Sequence, residues 1–185
     1  MKNAIRTVCM VALAALIGGT ATAPAQDKTP TEVNSASTKT SKKKELSAVA
    51  QALKKVKFVQ GKVNSAAKCY VYLQSASWCG PCRKEMPEIV AEYKKMKKEG
   101  VEIILCGCDK DKRGVKDYVK EFKIPFPATV ADDKLKLPGY TKASGIPHAI
   151  FVDKNGKVLA SGHGSITMNW QDYLPADDEA EDSEK

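Results

Sequence analysis

Histidine is scarce in this chain of 185 residues, which has two, His148 and His163. Neither falls in a recognisable ligand spacing, so a histidine-built metal centre has little to draw on. A long hydrophobic run is also missing. The most apolar stretch near the start, Val8 to Ile17, is about half of the roughly 20 residues a membrane-spanning helix needs, which argues against a permanent span. Aromatic residues make up 6% of the chain and do not interleave with its basic runs, so the stacking platform of a nucleic-acid binder is absent. No internal repeat is visible.

What is present begins with a leader. Lys2 and Arg6 flank the start of the apolar run, and Ala21-Thr22-Ala23-Pro24-Ala25 offers small residues in the spacing a signal peptidase reads, so residues 1–25 are expected to direct export to the periplasm or beyond. Cys9 opens the apolar run, where a lipid-acceptor cysteine would close it. Residues 26–44, rich in Thr, Ser and Lys, carry too little apolar surface to offset the entropy of ordering and read as a polar tether. Residues 175–185, with Asp177 to Glu184, read as an acidic disordered tail. Between them, residues 45–174 suffice for one domain. The formal charge is +8. Lys42-Lys43-Lys44 and Lys94, Lys95, Lys97 and Lys98 read as solvated faces; no nucleic-acid partner is expected, and membrane contact only through an uncleaved leader.

Inside the domain the apolar pattern is that of a layered α/β fold. Leu46, Val49, Leu53 and Val56 recur at helical intervals, and Phe58-Val59 before Gly61 suggests an edge strand. Cys69 to Leu73 and Val101 to Cys106 are apolar at nearly every position, as in strands covered on both faces. Between them Met86, Ile89, Val90, Tyr93 and Met96 mark a helix closed by Gly100. The unit reads strand, helix, strand, and its right-handed crossover makes the strands parallel. Val115, Tyr118, Val119 and Phe122 mark another helix, stopped before Pro125. Ala149 to Val152 and Lys157 to Ala160 flank Asn155-Gly156, a hairpin signal. Thr167 to Leu174 suggests a closing helix.

The chemistry lies at Ser77-Trp78-Cys79-Gly80-Pro81-Cys82-Arg83, between the first long strand and its helix. A thiol attacks a disulfide as thiolate, and a cysteine at a helix N-terminus has that anion stabilised by free N–H groups and the helix dipole. Cys79 occupies that place. Pro81 suits a first helical turn, where its missing N–H costs no bond. Cys82 returns within reach of Cys79, so the cycle expected is attack by Cys79 on a substrate disulfide, a mixed disulfide, then attack by Cys82. The competing reading of Cys-x-x-Cys, half of a zinc site, needs two more ligands, and Cys106-Gly107-Cys108 has the wrong spacing.

The stretch Ala76-Ser77-Trp78-Cys79-Gly80-Pro81-Cys82 resembles the active site of the thioredoxin superfamily. Arg83-Lys84-Glu85-Met86-Pro87 extends the likeness to exported proteins of the TlpA/ResA type, and the tryparedoxin and nucleoredoxin group is also similar. The resemblance covers roughly Lys57 to Tyr173 and implies an α/β thioredoxin-like fold, a central mixed β-sheet flanked by α-helices, with thiol-disulfide exchange activity. Ser144-Gly145-Ile146-Pro147-His148 supports it. The resemblance implies that Pro147 is cis and faces the dithiol, where Ile146, Trp78, Gly80 and Pro81 would help seat an extended substrate segment. His148 stands where the family usually has Thr, and can titrate near neutral pH or stand exposed as a spectator. Pro87 is expected to kink its helix.

Cys82 must lose a proton to resolve the mixed disulfide. Thioredoxins proper keep an Asp six residues before the first cysteine, where this chain has Leu73. Glu85, three residues beyond Cys82 on the same side of the helix, matches the glutamate of TlpA/ResA-type proteins and is the expected acid–base group. Of the other thiols, Cys69 begins its strand at the far end and reads as a small buried hydrophobe. Cys106 and Cys108 sit at the end from which Cys79 emerges, so either can approach the site edge, although inert packing is the default for all three. The resulting expectation is an exported reductant of protein disulfides, with no cofactor beyond the Cys79–Cys82 disulfide and an upstream membrane or periplasmic electron donor. The alternatives are a disulfide oxidase or isomerase, and a metal-binding or delivery module on the same fold.

Overall fold

A computed structural model of the chain describes residues 46–132 and 135–175. The expected leader, tether and acidic tail lie outside the described residues. Five strands form one sheet in the order β3-β2-β1-β4-β5: β1 (Cys69–Ser75), β2 (Val101–Gly107), β3 (Ala128–Val130), β4 (His148–Asp153) and β5 (Val158–His163). β2 runs parallel to both β1 and β3, while β4 is antiparallel to β1 and β5, so the sheet is mixed as expected. The helices are α1 (Ala48–Leu53), α2 (Gly80–Lys98) and α3 (Lys112–Glu121), and a 3-10 helix spans Gly164–Tyr173.

Every residue of β1 and β2 is buried, the mark of strands covered on both faces. The two-residue period of β1 divides the core. Cys69, Val71 and Leu73 join Met86, Ile89 and Met96 of α2, Val115 and Tyr118 of α3 and Trp170 in one cluster. Tyr70 and Tyr72 join Val49 and Leu53 of α1, Ile104 and Cys106 in the other. Each large apolar side chain so buried contributes about 1.5–3 kcal/mol.

The expected edge strand at Phe58-Val59 does not form. Only an antiparallel bridge pairs Gln60 with Ala128, with the Val59 amide donating to the Ala128 carbonyl at 2.7 Å. Gly61, at φ +77°, turns the chain away against Pro127. The partner of that bridge, β3, has no counterpart in the sequence reading: three residues between Pro127 and Ala131 are too few to show a period. The closing helix is real but wound as 3-10, with Asn169 outside helical geometry. Pro87 lies inside α2.

Glu102 is a buried carboxyl on β2. Tyr93 Oη donates to its Oε1 at 2.8 Å, whereas Oε2 has no partner among the described residues. Burial pushes this carboxyl above its ordinary value of 4.5. A carboxyl whose folded value is raised contributes stability below its unfolded value and loses that contribution as pH rises through the folded one. Wild type is therefore expected to lose about 1–2 kcal/mol relative to Glu102→Gln between pH 4.5 and neutrality, read by urea denaturation of both proteins across that range. A pH-independent difference would contradict it.

Candidate active site

β1 ends at Ser75, and Ala76 to Trp78 carry the chain to α2. That connection is pinned from several sides. Asp109, just past β2, accepts from the Ser77 amide at 3.2 Å and the Ser77 hydroxyl at 2.5 Å. Arg83 Nη1 donates to the Ser77 carbonyl at 3.1 Å, and its guanidinium pairs with Glu121 of α3 through both oxygens while lying 5.1 Å from the Phe122 ring centre. The Cys108 amide donates to the Ser75 carbonyl at 2.7 Å.

Cys79 is the N-cap of α2, and Pro81 stands in its first turn. Cys79 and Cys82 form a disulfide with Cα atoms 5.2 Å apart, and the Cys82 amide donates to Cys79 Sγ at 3.3 Å. On reduction that amide and the positive end of α2 favour the Cys79 thiolate. Cys79 is 5% exposed and Cys82 1%. The outer sulfur therefore meets a partner first, and the inner one is reached through it.

The facing wall is the loop before β4. Gln74, buried on β1, donates from Nε2 to the Thr141 carbonyl at 2.8 Å and accepts at Oε1 from the Ala143 amide at 3.0 Å, which fixes the loop that runs to Ile146. The Ile146–Pro147 peptide is cis. The Ile146 carbonyl oxygen lies 3.6 Å from Cys79 Sγ, where a reduced thiol would donate. Between the walls runs a groove of about 490 Å³ lined by Trp78, Cys79, Gly80, Pro81, Cys108 and Ile146 among others. Trp78 stands 69% exposed at its rim. A hollow of about 560 Å³ between Ala52, Leu137 and Tyr140 is larger but bears no thiol or imidazole, so the sulfur and not the size locates the site.

Residues 22–172 match the family model described as Redoxin. The chain belongs to the Redoxin family. It is 39% identical over 91 residues to the thiol-disulfide oxidoreductase ResA of Bacillus cereus, a match covering 49% of this chain and 52% of that protein. It is 31% identical over 99 residues to ResA of Bacillus subtilis, covering 53% and 55%. The chain thus spans about half the length of these curated relatives. Among solved structures it is similar to a thiol:disulfide interchange protein of the thioredoxin family from Chlorobium tepidum, with 26% identity and a TM-score of 0.50, covering 60% of this chain and 82% of that one. Tryparedoxin I of Crithidia fasciculata, 24% identical with a TM-score of 0.51 over 74% of this chain and 96% of that one, shares the fold.

Within this Redoxin domain the other expected residues separate. Trp78, Gly80, Pro81 and Ile146 share the groove with Cys79. Glu85 lies on the inner side, where its Oε2 and the Pro147 ring border the same small gap at Gly164. His148 hydrogen-bonds Ser161 Oγ at 3.0 Å, and burial, then His163, lowers its pKa. Cys69 is fully buried and pushed up to about 12 by burial. Cys106 does not approach the site edge: it is buried in the α1-side cluster, because it is the last inward position of β2 on that face. Cys108, beyond the end of β2, packs against the Cys79–Cys82 cluster and is the thiol that reaches the groove. Burial, then Asp109, raises its pKa, so it is a poor nucleophile beside Cys79. The sequence reading missed Gln74, Asp109 and Gly164, whose roles come from contacts with distant segments.

Proposed function

We propose that this protein is an exported thiol-disulfide oxidoreductase that reduces protein disulfides. The observation that carries the reading is the Cys79–Cys82 pair at the N-terminus of α2, opening on a groove whose far wall ends at Ile146, the residue before cis-Pro147. Cys79 thiolate attacks one sulfur of the client disulfide, and the other leaves as thiolate. Cys82, after giving its proton to Glu85, attacks Cys79 Sγ, which releases the second client sulfur and closes the Cys79–Cys82 disulfide. Two electrons pass to the client, and the Cys79–Cys82 dithiol itself carries them with no added cofactor. A membrane or periplasmic dithiol donor restores the reduced pair. An extended client segment lies against the backbone around Ile146, with Trp78 and Pro81 on the other side.

Glycine and proline between the cysteines support the reducing direction, and the likeness to ResA supports the chemistry. The leader-like sequence pattern of residues 1–25 supports export; among the described residues no helix is long and apolar enough to cross a membrane. A redox titration with an insulin-reduction assay tests the direction. A potential near about −270 mV with rapid insulin reduction is expected, whereas one near about −120 mV makes the protein an oxidant.

A further inference from the structure

Glu85 is short of partners. Its side chain is 23% exposed, yet Oε2 is buried and makes no hydrogen bond with the described residues. A methyl group built on Gly164 would meet Glu85 Oε2 and Pro147 Cβ, each at 2.7 Å, so the carboxyl fits only because position 164 has no side chain. An underserved buried carboxylate is costly, and it looks to whatever proton donor is near. Among the described residues that donor is His163 at the end of β5, whose Nδ1 lies 3.4 Å from Glu85 Oε1.

The imidazole has a second tie. The Ser165 amide donates to His163 Nδ1 at 3.3 Å, capping the 3-10 helix, and Ser165 Oγ lies 3.1 Å from the same nitrogen. An amide N–H donates only to an unprotonated nitrogen, so the one lone pair of Nδ1 either takes the Ser165 amide bond or carries a proton. A proton on Nδ1 releases the Ser165 amide and turns the 3.4 Å contact with Glu85 Oε1 into a hydrogen bond. We propose that Glu85 and His163 share a single proton, and that His163 is the route by which Glu85 exchanges it with solvent while Cys82 reacts. This rests on the reading of Glu85 as the acid–base group.

The surroundings suit the role. The His163 side chain is 56% exposed, so the ring is open to water while Nδ1 meets Glu85. His148 pairs with it across β4 and β5 and opposes a second positive charge there. On α2, Cys82 precedes Glu85 by one turn and exposed Glu88 follows by one. The 3-10 helix contributes Ser165 at this end and carries Asp172 at the other. In the forward step the Cys82 proton moves to the Glu85 carboxylate, leaving a thiolate that attacks Cys79. Glu85 then passes that proton to His163 Nδ1, and the imidazolium releases one from Nε2 to water. Re-reduction runs the sequence backwards.

The test uses the full protein and three measurements. NMR of the His163 ring nitrogens in wild type and Glu85→Gln is expected to show a hydrogen-bonded proton on Nδ1 in wild type that the variant lacks, since its carboxylate partner is gone; coincident spectra overturn the proposal. Single-turnover reduction of insulin is then followed from pH 5 to 9 in His163→Asn, which keeps an acceptor for the Ser165 amide but holds no proton in that range. Its rate is expected to fall on the order of tenfold, a fraction of what a general acid–base group supplies, with a changed pH profile. Added imidazole should restore the rate, because the site is open to solvent. A fall without rescue assigns His163 a packing role and overturns the route. If Glu85→Gln leaves the pH profile unchanged, the reading of Glu85 itself fails; if it alters the profile and His163→Asn does not, only the shared proton fails. Should His163→Asn not fold, the NMR comparison decides.

Discussion

Cys79→Ser is expected to reduce insulin at least about a thousandfold more slowly than wild type, the scale of losing a catalytic nucleophile. Cys82→Ser is expected to fail differently. Cys79 keeps its amide donors and the dipole of α2, so the first attack proceeds, but no inner thiol follows. The client then stays attached through a mixed disulfide that resolves only by outside thiols. Non-reducing electrophoresis and mass spectrometry of Cys82→Ser from exported extracts should show covalent adducts that dithiothreitol releases and that Cys79→Ser lacks. Equal adducts from both variants would mean that a different thiol attacks. Cys108 is the one to suspect, because it lines the same groove. The adducts also identify the client, which no feature of the groove can do.

The largest stability loss is expected away from the sulfur, at Gly156→Ala. Gly156 turns the β4–β5 hairpin at φ +91°, and an added Cβ would lie 2.2 Å from Pro138 Cβ and 3.2 Å from the Pro138 carbonyl carbon. Neither neighbour is the free end of a flexible side chain. Left-handed backbone costs a non-glycine residue about 1–2 kcal/mol, and overpacking adds about 1–3 kcal/mol. The sum is about 3 kcal/mol, or roughly 10 °C in melting temperature. Pro138 cannot retreat without cost, because its carbonyl accepts from Tyr72 Oη at 3.1 Å and Tyr140 packs edge-on against Tyr72. Gly145→Ala is the matched control: its added Cβ meets nothing within 4 Å, so a change within about 0.5 kcal/mol is expected. Thermal melts of the two variants decide it, and a loss below about 1 kcal/mol at position 156 would contradict the close packing of hairpin and loop.

These two positions also mark what is readable in the chain. Cys79, Pro81 and Cys82 are legible because their chemistry is local: a cap, a first-turn proline and a thiol one turn on. The same holds for the parallel pair β1 and β2, apolar at nearly every residue, and for the hairpin announced by Asn155-Gly156. Pro147 was legible only through its family likeness, since the residues alone favour a trans bond. What stayed hidden is non-local. Nothing around Gln74 says that it holds Thr141 and Ala143, nor around Asp109 that it receives Ser77. β3 is three residues long and owes its existence to β2 and Gln60. Cys106 and Cys108 look equivalent in sequence, and the end of β2 at Gly107 sends them to different places. His163 and Glu85 are 78 positions apart, and the packing on α2 of the 3-10 helix that follows β5 brings them together.

The near-complete burial of Cys82 sets a clock. On the proposed cycle, once a client is bound through Cys79, the protein's own resolving sulfur is inside the fold, while outside thiols can meet only the mixed disulfide itself. How long a client stays attached is then a property of the first turn of α2 and of the groups that take up the Cys82 proton. Under that reading the supply of the dithiol donor would govern how often the cycle restarts, while the fold itself would govern how long each captured partner is held.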